Sequence, residues 1–447
     1  MSIEDILYGL LKTYKGLPYP IKNIIGRVYR IIPAKVKYGK FYFSYLKRID
    51  SNHTPMGFLL KKQMVLCNEK LLFYKSKNYK KISDFPIITK SIIKTNFKEF
   101  INSENRNIIK SNTGGSSGTP FEFFLEKGIS RPKEKAHFDW YWKQFGYTPG
   151  DKVLMIRGEA LAGNKLYEYQ AIENKLAVSC YLINKSNVAE VVEAINKFNP
   201  KFIHAYPSAL KSFIEAATQN KTLFQLTIQA IFLGSEGLID KDKKHIESFF
   251  SSKVAHWYGH SERLIHAGNC LYSDEFHIFD FYGFAELVDY NNEVITLPEV
   301  KGRIIATGFD NTVMPLVRYD TGDEAEYSIN KRCKCGFEGR SFKKIHGRGQ
   351  DYIYLIDKAK VSLTAFIFGQ QFEEFTFIKE LQIEQHNYGK IEIKIVLHKG
   401  KSIESLKFTN KLKNSVKNKL EISLIFVDSI SKTSRGKHVF LIQKINN

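Results

Sequence analysis

From about residue 150 the chain alternates short apolar runs with stretches of helical periodicity. Lys152–Arg157 predicts a strand. Val188, Val191, Val192, Ile195 and Phe198 then fall on one helical face and stop before Pro200, whose ring cannot continue a helix. Lys201–Tyr206 predicts the next strand, and Pro207 and Ser208 open a helix behind it. Ile228–Leu233 predicts a strand, Lys241–Phe250 a helix and Val254–Tyr258 a further strand. Such alternation predicts a sheet of mainly parallel strands covered on both faces. Sites in such sheets gather beyond the carboxyl ends of the strands. Gly234-Ser235-Glu236 and Gly259–Glu262 each follow a strand directly.

After about residue 345 the pattern changes. Glu380–Gln385 and Lys390–Leu397 predict a hairpin turned at Asn387–Gly389. A basic helix over Ser402–Leu420 and a strand over Ser423–Val427 complete a small ββαβ unit. The fold class is therefore α/β. A large N-terminal domain (1–346) carries mixed, mainly parallel sheets, and a small α+β C-terminal lid domain (347–447) follows. Gly347-Arg348-Gly349-Gln350-Asp351 is the expected entrance to the second domain and a hinge.

With 43% hydrophobic residues and 14% aromatics in 447 residues, the chain can fill sizeable cores and is not disordered. Lys+Arg 67 against Asp+Glu 46 leaves a formal net charge of +21. A lysine-rich solvated surface accounts for that balance; attraction to nucleotides or anionic lipid is the sharper reading. No arginine-rich run, zinc-finger array or aromatic RNA-binding signature is present, so nucleic acid is not an expected partner. The opening segment is amphipathic and basic, without the order of a signal peptide. It can pack on the body of the protein or make peripheral contact with a membrane surface. Five cysteines in so long a chain do not make a disulfide scaffold, and a cytoplasmic location is expected.

The most distinctive local segment is Ser111-Asn112-Thr113-Gly114-Gly115-Ser116-Ser117-Gly118-Thr119-Pro120, followed by a predicted strand, Phe121–Leu125. Its glycines let backbone N–H groups turn toward an anion, and its hydroxyls supplement them. No Gly-Lys-Ser/Thr follows, so it is not the lysine-bearing P-loop. Phosphate binding is the expectation, and a flexible linker the alternative. Cys333-Lys334-Cys335-Gly336 brings two thiols onto a tight turn; Cys270 and His277 flank a short polar link, with His266 one helical turn before Cys270. Three thiolates and one imidazole suit a closed tetrahedral zinc site, although buried reduced cysteines would look the same.

Thr113–Pro120 resembles the phosphate loop of the adenylate-forming superfamily. Tyr258-Gly259-His260-Ser261-Glu262, Tyr319-Asp320-Thr321-Gly322-Asp323, Gly347-Arg348 with Asp351, and Thr433-Ser434-Arg435-Gly436-Lys437 are similar to further motifs of that superfamily, in the same order. More narrowly, the chain resembles phenylacetate–CoA ligases and capsule-biosynthesis proteins of the CapK type. The resemblance implies ATP and Mg²⁺ as cofactors, a small carboxylic acid as substrate, and an acyl-AMP passed to an acceptor. It implies that Thr113, Gly114, Gly115, Ser116, Ser117, Gly118 and Thr119 hold phosphate. Gly234, Ser235, Glu236, Tyr258 and Gly259 would line the adenine, and Ser261 would face the phosphate. Glu262 would help to hold Mg²⁺, a role suited to a hard carboxylate oxygen. Asp323 would accept from the ribose hydroxyls, Arg348 would meet ribose or phosphate, and Asp351 would be the pivot. Lys437 would neutralise charge as the acid attacks the α-phosphorus, with Ser431 standing where the family has proline.

The resemblance also implies structural zinc on Cys270, His277, Cys333 and Cys335. Trp140, Trp142, His204 and Tyr206 are weaker candidates for the acid-binding wall. CoA-forming relatives carry an Arg-Gly or Lys-Gly turn after the hinge, whereas this chain reads Asp357-Lys358-Ala359-Lys360-Val361-Ser362. CoA is thereby doubtful, and the expected acceptor is an amine on an amino sugar or amino acid, in a polysaccharide or related pathway. An acyl-CoA ligase and a nucleotide-binding protein without turnover are the alternatives.

Overall fold

Strands β3 (Val153–Ile156), β5 (Lys175–Val178), β6 (Phe202–Ala205), β7 (Ala230–Gly234) and β8 (Lys253–Gly259) run parallel, each paired to its neighbour in the order β5-β3-β6-β7-β8. The computed structural model describes residues 14 and 17–445, except 52–54, 76, 113–121, 158–160, 162–164, 180–182, 184, 223, 349–351, 359, 363–365, 367–373, 375–376, 398, 417 and 432–438.

Side chains of these strands alternate between two cores, as the two-residue strand period requires. Leu154, Ile156, Ile203, Ala205, Ile231, Leu233 and Val254 belong to the core built with helices Val188–Phe198, Pro207–Asn220 and Asp240–Phe250. Val153, Phe202, Ala230, Phe232, Ala255 and Trp257 face an aromatic core on the other side, with Tyr141, Trp142 and Phe145 from the helix Ser130–Lys143 and its C-terminal turn. Both faces are covered, which is why the runs read as continuously apolar. Phe232 stacks on Trp142 at 4.2 Å between centroids, with planes 2° apart.

Beyond β8 the sheet becomes antiparallel through β9 (His266–Gly268) and β10 (Phe276–Ile278), and among the described residues it has thirteen strands. Strands β14 (Tyr319–Tyr327) and β15 (Ser341–Arg348) lie in this half, and His277 of β10 is opposite Ser341 of β15. The expected helical turn before Cys270 is overturned: His266 is on a strand. His266-Ala-Gly pairs with Trp257-Tyr-Gly, and the extended rise of about 3.3 Å per residue carries Cys270, past the strand's end, well away from His266.

The chain divides into two compact units: residues 1–112, 122–321 and 325–345 form one, and residues 113–121, 322–324 and 346–447 the other. The second holds β18 (Ile378–Asn387), β19 (Lys390–Leu397), β20 (Glu421–Phe426) and β21 (Leu441–Gln443), ordered β20-β19-β18-β21. The hairpin β18–β19 is antiparallel and both outer pairings are parallel. Its helix runs over Ser405–Ser415, shorter than the periodicity predicts. Ile403 is drawn into the core before the first turn, and Asn418 at φ 57 closes the last turn by donating to the Lys413 carbonyl.

Candidate functional site

The carboxyl ends of the parallel strands converge on a polar rim. Gly234 ends β7 where a Cβ would lie 2.3 Å from the Trp257 ring, so only glycine lets this backbone lie against that indole. Ser235 then turns at φ 71, and the Glu236 carbonyl approaches His256 Nε2 at 3.3 Å. On the neighbouring strand Tyr258 is half-buried and Gly259 exposed, Ser261 is exposed in the following turn, and Glu262 is buried. Tyr319, fully buried at the start of β14, donates its hydroxyl to Glu262 Oε1 at 2.6 Å. The structure thus brings Gly234, Ser235, Glu236, Tyr258, Gly259, Ser261 and Glu262 to one edge of one unit.

Arg157, directly after β3, was not among the residues singled out from sequence. One of its guanidinium nitrogens is 3.0 Å from His204 Nε2, another donates to Ser235 Oγ at 3.2 Å, and the group lies 4.6 Å over the Tyr206 ring. Its signal was its place as the last residue of a predicted strand. Burial, reinforced by Arg157, holds His204 well below the ordinary histidine range, so its imidazole is neutral and can accept from the guanidinium. His204 also packs edge-on against Trp142 at 4.9 Å, and its Nδ1 and the Trp142 Nε1 are buried without a partner among the described residues. Tyr206 closes this group, whereas Trp140 packs on Phe279 and Phe281.

A second constellation lies in the same unit. The ligand atoms of Cys270, His277, Cys333 and Cys335 are all within 4.8 Å of one another. Cys270 Sγ is 3.6 Å from Cys333 Sγ, and Cys335 Sγ is 3.4 Å from His277 Nε2. Ligands about 2.0–2.3 Å from a tetrahedral zinc are separated by roughly 3.4–3.8 Å, so the donor set fits that ion. A tight turn holds the Cys-x-Cys pair, with Gly336 at φ 90 donating to the Cys333 carbonyl. His277 Nδ1 lies 3.0 Å from Ser341 Oγ, which fixes the ring with Nε2 toward the thiols.

Burial pushes the Cys270 thiol up to about 12, with the neighbouring thiols adding to the rise. Burial opposes charge on Cys333 too, yet hydrogen bonds from the Cys335 backbone and thiol and from Cys270 hold it below the ordinary thiol range. Burial also lowers His277, leaving the imidazole neutral, the form that ligates. His266 stands apart from this cluster: its ring is 4.2 Å from that of His137, and burial pulls it down to about 3.

Thr113, Gly114, Gly115, Ser116, Ser117, Gly118, Thr119, Asp351 and Lys437 lie outside the described residues. Arg348 ends β15. Asp323 is buried on β14 and falls with residues 322–324 in the second unit.

The fold is that of the adenylate-forming ligases. A 2-hydroxyisobutyryl-CoA ligase solved in the postadenylation state, in complex with R3-HIB-AMP, matches with a TM-score of 0.63 over 96% of this chain and 94% of that chain, at 16% identity. The amide bond synthetase McbA from Marinactinospora thermotolerans matches with a TM-score of 0.50 over 74% of this chain and 68% of that chain, at 13% identity. In sequence the chain is similar to Protein CapK of Staphylococcus aureus, 24% identical over 458 residues that cover 97% of this chain and 99% of the relative. No protein-family model matches.

Proposed function

We propose that this protein is an ATP-dependent ligase that activates a small carboxylic acid as acyl-AMP and passes the acyl group to an amine. The observation that carries the reading is Glu262. Its carboxylate is buried beyond β8 and held by the Tyr319 hydroxyl, on the rim where Gly234–Glu236 and Tyr258–Gly259 meet. A carboxylate is seldom buried without paired work to do.

On this reading the rim takes the adenine along Gly234-Ser235-Glu236, Tyr258 and Gly259. Ser261 and residues 113–119 donate to phosphate, Asp323 accepts from the ribose hydroxyls, and Arg348 adds positive charge. Glu262 would hold Mg²⁺, which screens phosphate charge when bound. One oxygen of the substrate acid attacks the α-phosphorus, the bond to pyrophosphate breaks, and the leaving oxygen carries its electron pair away. Lys437 stabilises the charge that develops. The acceptor amine then adds to the acyl carbonyl, its N–H proton is released to solvent, and the acyl C–O bond breaks so that AMP departs with the mixed-anhydride oxygen. Residues 347–447 would turn about Asp351 between these steps. His204, Trp142, Tyr206 and Arg157 form the wall nearest the acid. Cys270, His277, Cys333 and Cys335 would hold zinc, which ties one side of the sheet together and takes no part in the chemistry.

CoA is the second reading, and Lys358 favours it. The segment lacks the glycine of CoA-forming relatives, yet Lys358 adopts φ 63, the backbone state a glycine there would favour. A left-handed backbone is therefore available in this segment without glycine, with the Lys358 ammonium 5.4 Å over Tyr388. The likeness to an amide bond synthetase supports an amine as the acceptor, and the likeness to Protein CapK agrees with the resemblance to capsule-biosynthesis proteins from which a polysaccharide pathway is proposed.

Incubation with ATP, a panel of carboxylic acids and either hydroxylamine or CoA separates the readings. Acid-dependent hydroxamate and AMP, released faster than thioester, are expected. Saturable discharge by CoA with no response to amines would assign the acceptor to CoA instead. ATP bound without AMP release for any acid would leave a nucleotide-binding protein.

A further inference from the structure

The helix α1 (Tyr19–Ile31) is docked by its less conspicuous face. Gly26 is buried against Ala171, where a Cβ would lie 2.3 Å from the alanine methyl, and Lys22 pairs with Glu168 at 3.4 Å. The other face carries Ile21, Ile24, Val28 and Ile31, spaced three, four and three residues apart, so they form one stripe along the helix. All four are exposed, Ile24 at 64%, Val28 at 58% and Ile31 at 83%. Tyr19 at its start is exposed as well. In the following helix α2 (Ala34–Ser51), Val36 and Phe43 are exposed among the exposed Lys35, Lys40 and Lys47. A row of branched aliphatic side chains facing water marks an interaction surface.

Charge indicates what covers it. Between Asp5 and Asp50 the sequence contains no acidic residue, while Arg27, Arg30, Lys35, Lys37, Lys40 and Lys47 fall within α1 and α2, beside Lys22 and Arg48 that are paired with Glu168 and Asp310. Two copies of this chain meeting across the stripe would bring cation against cation. A nucleic acid would match the charge but leave the aliphatic stripe in water. A bilayer with anionic headgroups satisfies both: the stripe enters the acyl boundary while Arg27 and the flanking lysines stay at phosphate level. No helix among the described residues is long and apolar enough to cross a membrane, so this contact lies in the interface plane.

We infer that α1 docks the protein peripherally on anionic lipid surfaces through Ile21, Ile24, Val28 and Ile31. The test is co-sedimentation of the full chain with vesicles of phosphatidylcholine alone and with roughly one-third phosphatidylglycerol. Binding to the anionic vesicles, weakened by salt and absent from neutral ones, is expected. Ile24→Asp and Val28→Asp should each lower the partition coefficient about tenfold or more, the loss of one buried aliphatic side chain. These positions are exposed, so the melting temperature should hold. Ile31→Trp gives an independent reading: its fluorescence should shift to the blue on anionic vesicles alone. No binding to anionic vesicles, binding that survives Ile24→Asp with Val28→Asp, or a dimer in solution that those substitutions dissolve would each overturn the inference.

Discussion

Replacing Cys333 by serine tests the metal cluster without any knowledge of the substrate. Cys270 and Cys333 are 63 residues apart in sequence and 3.6 Å apart at sulfur. An ion gripping both sides closes that loop in the folded protein. Zinc that binds the folded cluster and not the unfolded chain stabilises by about 4 kcal/mol when free zinc exceeds its dissociation constant about a thousandfold. A unit of this size melts with an entropy of roughly 0.7 kcal/mol per degree, so the loss corresponds to about 5 °C. Protein purified without chelator should carry about one zinc per chain by elemental analysis. Cys333→Ser should lose the zinc and melt about 5 °C lower, and chelator should bring the wild type to the same temperature. Cys67→Ser is the control: that thiol is fully buried away from the cluster, so it costs packing but leaves the zinc in place. Zinc-free wild-type protein, or Cys333→Ser with zinc and melting temperature unchanged, would refute the reasoning.

Further outcomes follow from other groups. Tyr319→Phe removes the donor to a buried carboxylate and should cost about 1.5–3 kcal/mol of adenylation, roughly ten- to a hundredfold in kcat/KM; unchanged kcat/KM would separate Glu262 from the chemistry. Lys437→Ala should cut adenylation by about 10²–10³ while sparing transfer from supplied acyl-AMP, and equal losses would remove Lys437 from its role. Asp310 is buried against Lys133 at 3.3 Å and Arg48 at 2.8 Å; burial opposes its charge, but the two cations hold it below the ordinary carboxylate range. Its contribution is complete above about pH 4, the unfolded value, and lost as pH falls through the lower folded value. Asp310→Ala should therefore destabilise by about 3–5 kcal/mol at neutral pH, with the deficit shrinking in acid, as denaturant melts at both pH values would show.

The parallel strands were legible because burial on both faces makes each an unbroken apolar run closed by glycine or a polar turn, as at Leu233-Gly234 and Tyr258-Gly259. The Cys-x-Cys pair was legible from residue type, and the resemblance set Cys270 and His277 beside it, as the cluster has them; Ser341 was not legible, because its contact to His277 exists only through strand pairing. Arg157 escaped notice for a related reason. A basic residue ending a strand is unremarkable until His204, Tyr206 and Ser235 arrive from β6 and β7. The opening segment was legible as amphipathic, but not which face of α1 is docked. An aliphatic stripe at helical spacing reads as core, but Gly26 sets the docked side, and periodicity alone cannot say which side is against the protein. The C-terminal helix is shorter than its periodicity because the burial of Ile403 ahead of it and the left-handed Asn418 after it carry no periodic signal.

The measurement that bears most directly on the central claim is acid-dependent exchange of labelled pyrophosphate into ATP. It reports reversible acyl-AMP formation and is indifferent to the acceptor. With a panel of small carboxylic acids, exchange above the acid-free background is expected for at least one acid, abolished by Glu262→Gln and by Lys437→Ala. Exchange that persists in both variants, or none with any acid while ATP binds, would contradict the account.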